Sequence, residues 1–272
     1  MFNPENFFSL QEHLFASLFT GSEHTWDVLK KLPDFCREFV QGNVTKIRNG
    51  QILIPQTTIL FEDKVITDSF IIDTAHKPPQ VIFDGEILEG ASIIYAGAVL
   101  MSDDIYLGKN TVVEPGAYIN GPAYIGDFTE VRHGAYIRGN VLVGESCVVG
   151  HATEIKSSVL LGDSKAGHFA YIGDSILGKV NLGAGTKLAN LKITGSLIVI
   201  TAAGKTYHTG LKKFGAILGD GVETGCNSVT APGTIMGKDV LLYPNGTARG
   251  YYPPKTIIKF KQIQQSQGYE FA

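Results

Sequence analysis

Three histidines, one arginine and one lysine carry most of the chemistry that this sequence can offer, and their spacing is regular. His133 and His151 stand 18 residues apart, His168 follows after 17, and Arg138 and Lys156 are again 18 apart. His168 lies in KAGHFAYIGD, residues 165–174, a stretch with no other polar reason to hold an imidazole. An imidazole titrates near neutral pH, so it suits a general base or a metal ligand. Three of them at a fixed interval admit three readings: a zinc site, one working base at His168, or turn residues without a chemical task. Two cations in one phase repel each other unless an anion lies between or beside them. A phosphate fits the pair, because a guanidinium offers a fork and an ammonium a point charge. Two solvated surface cations are the alternative.

Such spacing has meaning only if the chain repeats. Aliphatic residues fall at Val113, Ile119, Ile125, Val131, Ile137, Val143, Val149, Ile155 and Leu161, at intervals of six. Glycine follows directly in IGDFTE, VGESCV, VGHATE and LGDSKA, and a small residue often stands four places on. Neither an α-helix nor a plain strand has this period. A period of six suggests one flat side of a coil, three sides to a turn. This looks like the left-handed parallel β-helix of hexapeptide-repeat proteins, so the expected fold is all-β, with that β-helix over 87–250 and the aliphatics filling a narrow prism. This departs from the usual right-handed crossover.

The register continues through Ala166, Ile172, Leu177, Leu182 and Leu188 with single-residue deletions, breaks at 190–216, and resumes at Leu218, Thr224, Thr230, Met236, Leu242 and Ala248. The inserted loop 190–216 reads as a hairpin protruding from the prism, of the kind that serves binding or assembly. Upstream, Ile87, Ile93 and Val99 extend the period less cleanly. Residues 1–45 have helical spacing (Leu10, Leu14, Leu18; Trp26, Leu29, Leu32) and read as a small N-terminal cap, with Pro33 opposing a continuous second helix. Residues 46–86 read as short strands leading into the prism. The tail, 251–272, is expected to leave the last coil through Pro253 and Pro254 and to end in a short helix.

Bulk properties narrow the function. With 44% hydrophobic and 18% charged residues, the 272-residue chain is globular. A net charge of −3 argues against a nucleic-acid partner. No apolar run has membrane length and no signal peptide is visible, so no membrane partner and a cytoplasmic location are expected. Cys36, Cys147 and Cys226 are scattered, without metal spacing.

From residue 125 to 235 the chain resembles the acetyltransferase domain of the bifunctional N-acetylglucosamine-1-phosphate uridyltransferase/glucosamine-1-phosphate N-acetyltransferases. The matching stretches are AYIRGNVLVG, VGHATEIKSSVLLGD, KAGHFAYIGDSILGKVNLGAGTKLAN and GAILGDGVETGCNSVTAPGTIMGKD. The segments TKLANLKI and TGLKKFGAILGDGVETG look most like the archaeal-type members. The resemblance implies an acetyl-CoA-dependent N-acetyltransferase of UDP-N-acetylglucosamine biosynthesis, acting on glucosamine 1-phosphate or a related amino-sugar phosphate. It implies His168 as general base, with Asn190 at the reacting centre. It further implies Arg138, Lys156 and Lys213 on the phosphate, Tyr171 and Asn181 on the amino sugar, and Ala184 and Cys226 along the acetyl-CoA groove. Acetyl-CoA is then a co-substrate, no metal is expected, and the subunits form a homotrimer with sites at their interfaces. The family's nucleotidyltransferase domain has no counterpart before residue 80, so this chain is not expected to make a UDP-sugar. Two other readings stand beside this one: a non-catalytic sugar-phosphate-binding or assembly module, and a zinc-dependent hexapeptide-repeat enzyme.

Overall fold

Each inward aliphatic closes a strand of two to four residues, and these strands stack in parallel register on three faces. A computed structural model of the chain describes residues 1–11, 13–261 and 265–268. It is a left-handed parallel β-solenoid of about nine turns. The first face runs from Ser92–Ile94 through Val148–His151, Lys165–His168 and Asn181–Leu182 to Ile257–Ile258. Next in the path of each coil comes the second face, from Val99–Leu100 through Tyr136–Arg138, Glu154–Lys156 and Tyr171–Gly173 to Thr247–Ala248. The third face runs from Ile105–Leu107 through Val141–Val143, Ser158–Leu160 and Ala216–Leu218 to Tyr251–Tyr252. Eight of the nine aliphatics named above, Val113 to Ile155, are fully buried in one core. Each contributes about 2 kcal/mol of burial.

The ninth is corrected by the structure. Leu160, not Leu161, stacks on Val143 and faces inward, so the first deletion falls after Ile155. Leu161 turns outward into a second apolar cluster. Similarly, Leu100 rather than Val99 pairs with Ile119 and fills the core. Ile87 lies outside the prism, 47% exposed, in a small antiparallel sheet with Gln80–Phe83, so the coils begin at Ser92–Ile94. At the other end the two prolines form a corner, not an exit: Tyr251–Tyr252 and Ile257–Ile258 continue the third and first faces. The closing helix expected in the tail falls largely on 262–264 and 269–272, which lie outside the described residues.

The N-terminal segment lies along the flank of the prism. Phe2, Phe15, Trp26 and Leu32 pack with Leu142, Val159, Ile176, Ile217 and Ile235, the outward residues of the third face. The open end of the prism is closed instead by Val44, Ile47, Ile54 and Leu60, which join the main core. Contrary to the expectation from Pro33, Val28–Phe39 is one helix with that proline inside it. Proline costs a helix interior about 3 kcal/mol. Burial of Val28, Leu32 and Cys36, spaced by four and all at 0% exposure, outweighs it. The Leu10–Leu14–Leu18 spacing yields only the single turn Ala16–Phe19, and Leu14 stays 53% exposed. Aromatic contacts of Phe8 with Phe19, and of Phe15 with Tyr124, set the path there.

The inserted segment is a hairpin, Val199–Ala202 against Lys205–His208, with Ala203 and Gly204 both in the left-handed region that such a two-residue turn needs. Its buried residues Ile198, Ile200 and Ala202 fold back onto the N-terminal segment and the third face.

Candidate functional site

The outer side of the second face gathers charge. Arg138 and Lys156 each follow an inward isoleucine, and Ile137 stacks on Ile155, so the two cations share a column. The structure supplies them with anions that the sequence reading missed. Arg138 Nη1 lies 2.6 Å from Glu154 Oε1, and Lys156 Nζ lies 2.8 Å from Asp174 Oδ2. The first pair is open, at 42% and 32% side-chain exposure, whereas the second is sheltered, at 14% and 15%. Asn190 Nδ2 donates to the same Asp174 oxygen at 2.5 Å. Tyr171 stacks on Glu154 in register, and its hydroxyl converges with the Asn190 amide above Gly173, where a Cβ would meet them at 2.6 and 2.7 Å. Burial, then Glu154 and Asp174, raise the Tyr171 hydroxyl above its ordinary value; Arg138 and the Asn190 amide oppose them. The Glu154 hydrogen bond likewise raises Arg138.

Both carboxylates had a signal in the sequence. Glu154 stands two residues before Lys156 and so shares its outward side. Asp174 follows Gly173, the register partner of Lys156.

The histidines form a second column, at the corner between the first and second faces. His151 pairs with His168, and the preceding registers place His133 on His151. The column continues through Ala184 and Cys226, because Ala166, Leu182 and Thr224 stack in the same order. His133 and His151 are fastened to the backbone: their Nδ1 atoms lie 2.6 Å from the Pro115 carbonyl oxygen and 2.9 Å from that of His133. Their rings stack 5.6 Å apart and 10° from parallel, so their nitrogens do not converge on one point. Among the described residues, no three histidine, cysteine or carboxylate side chains are placed to hold a metal ion. The His168 ring is exposed beside Phe169, their centroids 6.3 Å apart. Phe169 takes φ +54° with 55% exposure, at a corner filled in neighbouring coils by Gly134, Ala152 and Gly185. Left-handed backbone is unusual for so large a side chain.

Alongside that column runs a strip without side chains: Gly150, Gly167, Gly183 and Gly225, stacked coil on coil. At Gly150 a Cβ would strike the Gly167 carbonyl oxygen at 1.9 Å, so the next coil requires glycine there. At Gly167 a Cβ would meet nothing within 4 Å.

The residues selected from the sequence therefore divide in two. Arg138, Lys156, Tyr171 and Asn190 gather at the far edge of the second face, and Lys213 stands at the neck of the hairpin excursion, bridged to Leu191 next to Asn190. His168, Ala184 and Cys226 occupy the near edge, and Asn181 faces outward on the first face, in register with Lys165. Arg138 and Lys156 do not share an edge with His168 within one chain. His168 and Gly173, the partner of Lys156, bound one face and are five residues apart, roughly 16 Å of extended chain.

Part of the chain is similar to known proteins. The family model described as the GMPPB C-terminal domain matches residues 119–270. A bifunctional sugar-1-phosphate nucleotidylyltransferase/acetyltransferase of the archaeon Sulfurisphaera tokodaii is 39% identical over 82 residues, 30% of this chain and 20% of that protein. The bifunctional protein GlmU of Methanococcus maripaludis is 36% identical over 83 residues, again 30% and 20%. The chain thus spans about a fifth of the length of the curated relatives it matches. Among solved structures, a mutant of GDP-perosamine N-acetyl transferase from Caulobacter crescentus, in complex with CoA and GDP-perosamine, is 21% identical. The match covers 58% of this chain and 53% of that one, with a TM-score of 0.19.

Proposed function

The chain belongs to the GMPPB C-terminal domain family, and from that premise we propose that it is an acyltransferase moving an acetyl group from acetyl-CoA to the amine of glucosamine 1-phosphate or a related amino-sugar phosphate. The acetyltransferase name of the Sulfurisphaera tokodaii relative points in this direction. The observation that carries the reading is the gathering of Arg138, Lys156, Tyr171 and Asn190 at one edge of the second face. His168 and Asn190 are both assigned to the reacting centre, yet one chain holds them apart. A parallel homotrimer resolves this, with the histidine edge of one protomer set against the Arg138–Asn190 edge of the next. The third face is excluded from that contact by its own cover.

In the composite site, Arg138 and Lys156 take the phosphate, with Lys213 reaching it from the hairpin neck. Tyr171 and Asn190 face the sugar, and the neighbour contributes His168 and Asn181. The acyl donor lies along the column Ala184–Cys226, where the glycine strip leaves room for its arm. The sugar ammonium gives up one proton to solvent, and His168 takes a second from the nitrogen as the amine attacks the thioester carbonyl carbon. The C–N bond forms, the C–S bond breaks, and the thiolate leaves with the proton returned by the imidazolium. General base catalysis of this kind contributes about 10²–10⁴-fold. The alternative of a binding module without turnover draws on one observation, that both cations already hold carboxylates.

The test is thiol release from acetyl-CoA with glucosamine 1-phosphate. Turnover is expected with the wild-type protein and is expected to fall at least 100-fold in His168→Ala and in Asn190→Ala. Coexpressing these two variants should restore part of it, since mixed trimers contain some intact interfaces. Full activity in His168→Ala, or a monomer that turns over, would overturn the composite site.

A further inference from the structure

One carboxylate in the cluster is left without a task by the proposed reaction. Asp174 Oδ2 receives both the Lys156 ammonium and the Asn190 side-chain amide, at 2.8 and 2.5 Å. Resting on the reading above, we propose that Asp174 is the positioning residue that makes this site select a phosphate carrying a nearby ammonium.

The first argument is orientation. An ionised carboxylate only accepts hydrogen bonds, so Asn190 must turn its NH2 group toward Asp174. The Tyr171 hydroxyl meets that same nitrogen above Gly173. With its nitrogen held by Asp174 and turned to the side where the Tyr171 hydroxyl lies, Asn190 presents its carbonyl oxygen to a ligand. That oxygen accepts from an N–H and has nothing to offer an oxyanion. Asn190 is thereby set to hold an amine, one amide group away from the Asp174 charge.

The second argument is charge. Arg138, Lys156, Glu154 and Asp174 sum to zero, so the attraction of the two cations for a bare phosphate is opposed by two carboxylates. Entering beside Lys156, it also meets Asp174, whose side chain is only 15% exposed. Repulsion between unlike-solvated groups of the same sign grows as water is excluded. A ligand that brings an ammonium with its phosphate offsets that repulsion through Asn190 and Asp174. A neutral sugar phosphate does not.

The experiment measures binding and turnover separately. Wild-type and Asp174→Asn proteins are titrated calorimetrically with glucose 1-phosphate and with glucosamine 1-phosphate, and thermal unfolding reports whether each is folded. The wild type should prefer the amino sugar by about tenfold. In Asp174→Asn, glucose 1-phosphate should bind several-fold more tightly and the preference should vanish. Where activity is present, kcat should fall about tenfold or more while KM for glucosamine 1-phosphate does not rise. Asp174→Glu keeps the charge and shifts the amide; it should retain the preference and lose kcat, which covers the case of an unfolded Asp174→Asn. Unchanged affinities, or a parallel loss for both sugars in folded protein, would overturn the proposal. A wild type that binds with the stated preference but never transfers acetyl removes the acyltransferase reading and leaves the role of Asp174 standing.

Discussion

The second and third faces of the prism share one inward pattern and have opposite outward ones. On the third face the outward residues Leu142, Val159, Ile176, Ile217 and Ile235 are apolar and at 0% exposure beneath the N-terminal segment and the hairpin. The outward positions of the second face hold Tyr136, Arg138, Glu154, Lys156 and Tyr171, which remain half-buried or exposed. Inward residues define the prism, and outward residues decide what each face meets. Burial on the third face stabilises a cover. On the second, charges arranged as one open and one sheltered pair keep a surface ready for a ligand or a neighbouring protomer.

The largest expected effect breaks the covered side. Trp26 is 2% exposed, stacked on His24 at 4.5 Å and packed against Phe2 at 5.1 Å. Trp26→Ala should cost about 3–5 kcal/mol. Tyr136→Ala, on the open face at 42% exposure, should cost less than about 1 kcal/mol. Urea midpoints of the two variants measure the contrast, and equal shifts would remove the distinction between the faces.

A second test sharpens the open side. A Cβ at residue 173 would displace two side-chain ends, not backbone. Gly173→Ala should therefore leave the unfolding midpoint within about 1 kcal/mol of wild type, while pushing Tyr171 and Asn190 out of place. Acetyl transfer should fall roughly 100-fold, as 1 Å misplacements do. Retained activity would show that their convergence over Gly173 is incidental.

How much of this was legible in the sequence depended on whether a residue's role followed from the coil period. The prism, the cation column and the histidine column all did, because stacking converts a separation of 17 or 18 residues into neighbourhood. The distance between the two columns did not, since equal phase says which residues stack and leaves open how far apart two columns stand across a face. Glu154 and Asp174 were passed over because they sit among the expected functional residues as partners, and counterions carry no period of their own. The fate of Pro33 and of the Leu10–Leu18 stretch depended on packing against the third face, which no local pattern in residues 1–45 records.

A third, smaller effect concerns Gly167. Its neighbour Gly150 is forced by the approach of the next coil, whereas Gly167 faces open space beside His168. Gly167→Val should fold as wild type does and raise KM for acetyl-CoA about tenfold, leaving KM for the amino-sugar phosphate unchanged. A rise confined to the sugar would place the donor elsewhere.

The smallest effect tests the seam between the cover and the prism by pH. His13 reaches from the N-terminal segment to the coil at Gly162. Burial holds its imidazole below the usual 6.5, although Glu145 and Asp220 pull the other way. The Phe15 N–H donates to Nδ1 at 3.1 Å, and the Gly162 N–H lies 3.4 Å from Nε2. Protonation would turn the accepting Nδ1 into a donor facing the Phe15 N–H. Because the folded value is the lower one, the unfolded chain binds the proton first as pH falls. Stability from this group is complete above 6.5 and is lost as pH drops through the depressed folded value. Wild type should thus lose more stability between pH 7.5 and 5 than His13→Gln does, read as the difference in urea midpoints. Parallel losses in the two proteins would mean that the seam does not feel this proton, and that the cover is held by its apolar contacts alone.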